Sequence, residues 1–448
     1  MPTTRDKVEK WSLAYFILKH WVDLGFHFYF KTTVSGLNKL PKNKTLIFAP
    51  NHQNALMDAL AILCVKTWQP VFLARADIFK KPTVSKILTF IKIMPVFRMR
   101  DGYENLQRND EIFNKTIDVL KNQNGLVILP EGNHGDHKRL RTLKKGIARI
   151  ALQALEADNS LDIMIVPVGL DYTHYSRVGS GLHIRFGEPF SAKPFMNVYK
   201  ENSAKAYNML MGHLEKGIKA EMIDIEEQKY YSVYEVLIDS FAQELLANKG
   251  LPQSHSNIVD IQQEVIKGIN RFKNNDNDDF LLLAADALEY RLLLNRRGIP
   301  PGSFPLKTIH KASLLPLALA LGVALPLFVA SFVNIIIPVA AAKLLSNKFE
   351  DKQFISSVRF VIGLVLSLLM LIIQTGIFAI ITKSLLYSAL YAVGFIASFY
   401  IFFIWKKWAN VFANRVNVAK HLLKGSQKMR RLGELHESLY RQIIEILK

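Results

Sequence analysis

Apolar residues gather in two different ways along the 448 residues of this chain. Up to Leu170 they form short runs, each bounded by turn-forming or charged residues: Leu46-Ile47-Phe48-Ala49-Pro50, Ile93-Met94-Pro95-Val96-Phe97, Leu126-Val127-Ile128-Leu129-Pro130 and Ile163 through Leu170. Runs of this length predict buried β-strands. Leu143 to Ala151, just before the last of them, carries helical periodicity, so strand and helix alternate and the fold class is α/β. Ala204–Ile225 and Val233–Ala247 mix charge and apolar residues at helical spacing. Between these helices and the C-terminal runs, Asn274-Asn275-Asp276-Asn277-Asp278-Asp279 is a polar break. It lacks the sixth-position Gly and twelfth-position Glu of a calcium loop, so it reads as a turn.

Toward the C-terminus the runs lengthen. Residues 312–342, 358–382 and 384–405 are each long enough to cross a hydrocarbon core, which takes about 20 helical residues. The first contains Pro316, Pro326 and Pro338, and a break near Gly322 and Pro326 would make it two short spans or a re-entrant hairpin. Lys343, Lys348, Lys352 and Arg359 flank the next connection, whereas only Lys383 flanks the one after it. The positive-inside rule then predicts four passes, or two plus a re-entrant hairpin, with the N-terminal part and the Lys406-Lys407 tail both cytoplasmic; three passes are the alternative. Residues 11–30 are rich in aromatics around Lys19, His20 and Asp23. That mixture predicts a helix lying in the membrane interface, the alternative being a helix packed on the domain that follows. No small-residue cleavage site follows it, which argues against a secretory signal.

The chemistry sits at the ends of the short runs. Asn51-His52-Gln53-Asn54-Ala55-Leu56-Met57-Asp58 follows the first strand and brings a histidine and a carboxylate near each other. Residues six apart lie about 240° round a helix and cannot face one another, so His52 and Asp58 pair only if the chain turns between them. His52 would then stand on a strand-to-helix loop and Asp58 in an early helical turn. A neutral imidazole with a pKa near about 6.5 suits removal of a hydroxyl proton, and a carboxylate fixes its tautomer. Taken alone, the segment also fits a loop histidine beside an unrelated helix-start aspartate. Further segments decide: Pro130-Glu131-Gly132-Asn133 ends one strand, His137-Lys138-Arg139-Leu140-Arg141 adds a basic cluster, and Arg98 and Arg100 end another apolar run. Cations at strand ends suit a phosphate.

With these blocks in order, the chain resembles the glycerolipid acyltransferase family, which includes the lysophosphatidate and glycerol-3-phosphate acyltransferases. The family pattern is Asn-His followed by Asp, an Arg after an apolar run, Pro-Glu-Gly, and a Val-Pro strand; all four occur between residues 45 and 171. The resemblance implies a mixed sheet flanked by helices. It makes His52 the general base on the acceptor hydroxyl and Asp58 its orienting partner, the catalytic pair. It puts Arg98 on the acceptor phosphate and Asn51, Glu131 and Gly132 around the acceptor, with Arg139, Arg141, Lys144 and Lys145 as further positive charge and Pro167 as the floor. The donor would be acyl-CoA or acyl carrier protein, the acceptor a glycerophosphate, most closely the sn-2 hydroxyl of 1-acyl-glycerol-3-phosphate; no cofactor is implied.

Two departures stand out. Five residues separate His52 from Asp58 where four are commoner, a variant resembling fungal-type enzymes that acylate glycerol-3-phosphate or dihydroxyacetone phosphate. Asn133-His134 replaces the usual Thr-Arg after Pro-Glu-Gly, so Arg139 or Arg141 would have to supply the phosphate contact. A metal reading of His134, Asp136 and His137 is disfavoured, since no partner cluster of Cys or His appears elsewhere.

The formal net charge of +19 raises nucleic acid as a partner, but no binding-module fingerprint accompanies it, and a basic surface equally serves an anionic bilayer. A single cysteine, Cys64, excludes an internal disulfide and suits a reducing cytoplasm. The expected organisation is an interfacial helix at 1–30, an acyltransferase domain at 31–200, a helical region at 201–310, a transmembrane region at 311–405 and a basic cytoplasmic tail at 406–448. The whole would be an integral membrane protein with its catalytic domain in the cytoplasm. The rival from another class is a non-catalytic membrane scaffold that keeps the fold.

Overall fold

A computed structural model describes residues 8–96, 103–123, 125–135, 137–302, 314–351, 353–423 and 427–448. The chain divides into two compact units, Met1–Asp224 with Leu345–Val361, and Ile225–Leu344 with Ile362–Lys448.

The first unit is built on one sheet. Its strands are β1 (Phe30–Ser35), β2 (Thr45–Pro50), β3 (Val71–Arg75), β4 (Ile93–Val96), β5 (Leu126–Val127), β6 (Ile163–Tyr172), β7 (Ser180–Phe186) and β8 (Phe190–Ser191). They lie in the order β1-β7-β6-β2-β5-β3-β4, with β8 paired to β6. Pairing is parallel everywhere except where β6 meets β7 and β8, so the sheet is mixed. Strand β2 lies between β6 and β5, and parallel neighbours on both sides bury it nearly end to end, which is why Leu46 to Pro50 reads as continuous apolar sequence and not as alternation.

Helices of this unit include α1 (Leu13–Tyr29), α2 (Leu56–Leu63), α3 (Pro82–Phe90), α4 (Tyr103–Lys121), α5 (Gly146–Ala157), α6 (Met196–Glu201) and α7 (Ser203–Glu221). In α5 the buried positions Ile147, Ala148, Ala151, Leu152 and Leu155 form one stripe at helical spacing. That stripe joins Leu210, Leu214 and Ile218 of α7 and Ile163 and Ile165 of β6 in a single core. The predicted strand from Leu126 is short: only Leu126 and Val127 pair, and the chain leaves the sheet at once toward Glu131. Helix α1 leaves Trp11 just before it, and Leu13 and Ile17 on it, exposed, while Phe26 and Tyr29 are buried.

In the second unit, α8 (Tyr231–Asn248), α9 (His255–Asn275), α10 (Asn277–Arg297) and α15 (Gln427–Ile446) enclose a core that includes Phe241, Tyr290, Leu432 and Leu439. The polar break near residue 276 is their junction: Asp276 caps α10 by accepting from the backbone N–H of Asp279 at 2.9 Å.

The apolar helices are α11 (Leu314–Val323), α12 (Leu325–Ser346), α13 (Phe354–Thr382) and α14 (Leu385–Leu423). Among the described residues, α12, α13 and the stretch 385–417 of α14 are long and apolar enough to cross a membrane, whereas α11 has 10 residues. Ile380, Ile381 and Leu385 are each more than 70% exposed, apolar surface that water penalises and lipid accepts. The first apolar run is interrupted only at Ala324, within the Gly322–Pro326 interval, and helical bonds continue on both sides, from Ala324 N–H to Ala320 and from Phe328 N–H to Ala324 at 3.0 Å, so the expected hairpin turn is not there. Helix α14 continues past Lys406-Lys407 without interruption, so the expected boundary at 405 is not a helix end.

Candidate active site

The carboxyl ends of parallel strands are where an open α/β sheet presents its loops to a ligand. Here β2 ends in the loop carrying His52, and β5 leads within four residues to Glu131. The described part of β4 ends at Val96, and Arg98 lies outside the described residues.

His52 leaves β2 on a loop clipped to its neighbour strand. The buried Asn51 amide donates to the Leu170 carbonyl at 3.1 Å and its Oδ1 accepts from the Leu170 N–H at 2.6 Å. Asn51 therefore spends its amide on β6 and sets the angle at which His52 departs. The turn follows at Ala55, whose φ of 45° and ψ of −124° suit glycine better than an L-residue. Such a conformation costs of order 1–3 kcal/mol and persists only when its surroundings impose it. It starts α2 early enough for Asp58, in the first helical turn, to face back toward His52.

The two meet. His52 Nδ1 lies 2.9 Å from Asp58 Oδ2, and that oxygen also accepts the backbone N–H of Gln53 at 2.7 Å and of Asn54 at 2.6 Å. Asp58 Oδ1 accepts the Tyr172 hydroxyl at 2.7 Å. Asp58 is fully buried, so these four donors offset the cost of taking its charge out of water. Burial, with the Asp58 charge and hydrogen bond adding to it, drives the Tyr172 hydroxyl well above its ordinary pKa, so it remains a donor. A neutral imidazole that donates from Nδ1 to Asp58 has its lone pair on Nε2, and that is the tautomer a general base requires.

Glu131 fixes the same histidine from the other strand. Its Oε1 accepts the His52 backbone N–H at 2.6 Å, and its Oε2 accepts both the backbone N–H and Nε of Arg141 at 3.1 Å. Burial pushes the Glu131 carboxyl up, outweighing the downward pull of the His52 and Arg141 donors. Gly132 next to it has φ 70°, the left-handed turn that lets the chain reverse after Glu131.

Arg141 is where the structure departs most from expectation. Its guanidinium donates to Glu131, to the His52 carbonyl at 3.2 Å and to the carbonyls of Asn133 and His134. Four of its five N–H groups go to Glu131 and to loop carbonyls, so it braces the site from within. Lys138 lies 3.7 Å from Asp171, Arg139 is half-buried, and Lys144 and Lys145 are exposed beside the loop. Pro167 sits in β6 opposite Ala49 of β2, beneath the His52 loop in the register of the sheet.

Some neighbours of the pair were not foreseen. Tyr172 and Tyr175 come from the far end of β6 and beyond it, Tyr175 donating to Gln53 Oε1 at 2.9 Å. His134 stands edge-on to His52 with ring centroids 5.5 Å apart, and Phe354 stands edge-on to His134 at 4.7 Å. Burial first, then the nearby His52, lowers the His134 pKa. A strand read through Tyr172 instead of stopping at Leu170 would have flagged the tyrosine; nothing local to residue 52 points to residue 354.

Residues 31–171 match the family model described as Acyltransferase. The chain is 23% identical over 192 residues to glycerol-3-phosphate O-acyltransferase 1 of Saccharomyces cerevisiae, covering 42% of this chain and 24% of that protein. It is 27% identical over 193 residues to glycerol-3-phosphate O-acyltransferase 2 of the same yeast, covering 43% of this chain and 25% of that one. It is 26% identical over 160 residues to the chloroplastic 1-acyl-sn-glycerol-3-phosphate acyltransferase LPAT1 of Arabidopsis thaliana, covering 35% and 40% respectively. The chain thus spans about a quarter of the length of the yeast relatives. Among solved structures it is similar to the 1-acyl-sn-glycerophosphate acyltransferase PlsC of Thermotoga maritima, at 21% identity and a TM-score of 0.33, over 46% of this chain and 77% of that one.

Proposed function

We propose that this protein moves a fatty acyl group from a thioester to a hydroxyl of a glycerophosphate acceptor at a membrane, a reading supported by the match of residues 31–171 to the Acyltransferase family model and by the names of its relatives. The observation that carries the proposal is the His52–Asp58 pair at the carboxyl end of the central strand, buttressed by Tyr172 and Glu131.

The chemistry is direct transfer. The acceptor hydroxyl attacks the thioester carbonyl carbon while His52 Nε2 takes its proton, and Asp58 stabilises the imidazolium that forms. The tetrahedral intermediate then collapses with loss of the thiolate, which regains the proton from His52. No acyl-enzyme is needed, since the acceptor oxygen itself is the nucleophile. Arg98, Arg139, Lys144 and Lys145 are the cations proposed for the acceptor phosphate. Arg141 is withdrawn from that role because its guanidinium is occupied.

The acceptor we favour is 1-acyl-glycerol-3-phosphate, acylated at its sn-2 hydroxyl, because a chain with three helices able to cross a membrane works where that lipid resides. The second reading is sn-1 acylation of glycerol-3-phosphate, favoured by the five-residue spacing between His52 and Asp58 and by the names of the yeast relatives. Acyl-CoA or acyl carrier protein is the donor, and the basic connection around Lys343, Lys348 and Arg359 supports a cytoplasmic catalytic side. Purified protein offered each acceptor with labelled acyl-CoA separates the readings. Turnover of the lyso-acceptor alone is expected; turnover of glycerol-3-phosphate alone would overturn that choice, and turnover of neither would favour the scaffold.

A further inference from the structure

Helix α2 begins without a cap of its own. Its N-cap residue is Ala55, which has no side chain able to accept from the first-turn N–H groups, and a buried helix start left without such partners is destabilised. The cap comes from 301 residues away: the Leu56 N–H donates to Ser357 Oγ at 3.2 Å. Its neighbour Ser356, fully buried, donates to Asn54 Oδ1 at 2.5 Å, while the Asn54 amide donates to the Tyr175 carbonyl at 3.1 Å. Asn54 and Leu56 lie between His52 and Asp58, so both serines grip the turn that sets the pair.

The grip belongs to a segment with its own anchors. Leu345–Val361, which runs from the last residues of α12 into the first two turns of α13, is part of the first unit. Arg359 donates to Ser346 Oγ at 2.8 Å and to the Ser176 carbonyl at 3.3 Å, and Phe360 stands edge-on to Phe26 and Tyr29. On the site side, Gln353 hydrogen-bonds His134 and Phe354 covers its ring. Packing, polar and aromatic contacts therefore all hold the first two turns of an apolar helix against the His52 loop.

We propose that Ser356 and Ser357 are positioning residues for acyl transfer: by completing the strained turn at Ala55 from outside, they hold His52 and Asp58 in register. The inference rests on the reading of His52 as general base. Its physical basis is that the turn is costly alone, and a reacting group displaced by about 1 Å can lose about 10²-fold in rate. The segment that anchors the protein in its membrane thereby also assembles the catalytic loop.

The test is steady-state kinetics on the full chain in detergent with Ser356→Ala/Ser357→Ala. The expected result is a fall in kcat of about tenfold or more with the KM for acyl-CoA unchanged, and recovery of most of kcat in Ser357→Thr, which keeps the acceptor oxygen. Wild-type kcat in the double variant would overturn the proposal, as would equal loss in Ser357→Thr. Where the double variant melts below the assay temperature, Ser357→Cys replaces it, keeping volume but not a strong acceptor, with the same two outcomes. Full activity in His52→Ala would instead sink the general-base reading itself, so the two failures are distinguishable.

Discussion

Asp58 is fully buried and takes four hydrogen bonds, and each donor has a separate job. The Gln53 and Asn54 amides fix the carboxylate, Tyr172 occupies its second oxygen, and only His52 Nδ1 connects it to chemistry. Asp58→Asn is therefore expected to keep the fold but present the wrong donor to His52, lowering kcat by at least about 100-fold in an acyl-CoA assay. Tyr172→Phe leaves the pair intact and removes one bond to a charged group, about 1.5–3 kcal/mol of stability, read as a lowered midpoint of denaturation. His134 gives a pH signature. Its folded pKa lies below the ordinary histidine value of 6.5, so the unfolded chain binds the proton more readily and stability is lost as pH falls through that value. Melting curves between pH 7.5 and about 5 should show this loss in the wild type and a smaller one in His134→Asn.

At the scale of elements, the decisive feature is a turn placed between a parallel strand and a short helix. Ala55 holds a conformation that glycine adopts without strain, so Ala55→Gly is expected to raise the melting temperature, with stabilisation of about 1 kcal/mol and activity retained. A lower melting temperature would mean the turn is not strained. The sequence made much of this arrangement visible. Strand β2, the need for a turn and the placement of Asp58 in an early helical turn follow from apolar run length and helical geometry alone. Arg141 was legible as a cation near the site but not as a brace, because composition cannot tell whether a guanidinium faces a phosphate or the carbonyls of its own loop. Tyr172, 114 residues from Asp58, and the serines some 300 residues from α2 were illegible for a plainer reason: long-range pairs leave no mark in local periodicity.

For the molecule as a whole, connectivity restricts how the chain meets a membrane. The first unit takes in Leu345–Val361 as well as Met1–Asp224, so the end of α12 and the first two turns of α13 go with the sheet. Helices α11 and α12 run on into one another, since the Ala324 N–H donates to the Ala320 carbonyl and the Phe328 N–H to the Ala324 carbonyl, each at 3.0 Å, so the chain does not reverse there as a hairpin would. We propose that α13 and α14, each long and apolar enough, cross out and back. Single cysteines at Lys348→Cys and Lys383→Cys in a Cys64→Ser background are expected to react with an impermeant maleimide from opposite faces of sealed vesicles; labelling from one face would refute that path. His52 is the residue on which the proposed transfer turns. The direct measurement is the rate of labelled acyl transfer to 1-acyl-glycerol-3-phosphate and to glycerol-3-phosphate by wild type and His52→Ala, purified alike and with matching melting curves. A loss of roughly 10²-fold or more on whichever acceptor the wild type uses is the predicted result. Undiminished turnover by a folded His52→Ala would contradict it.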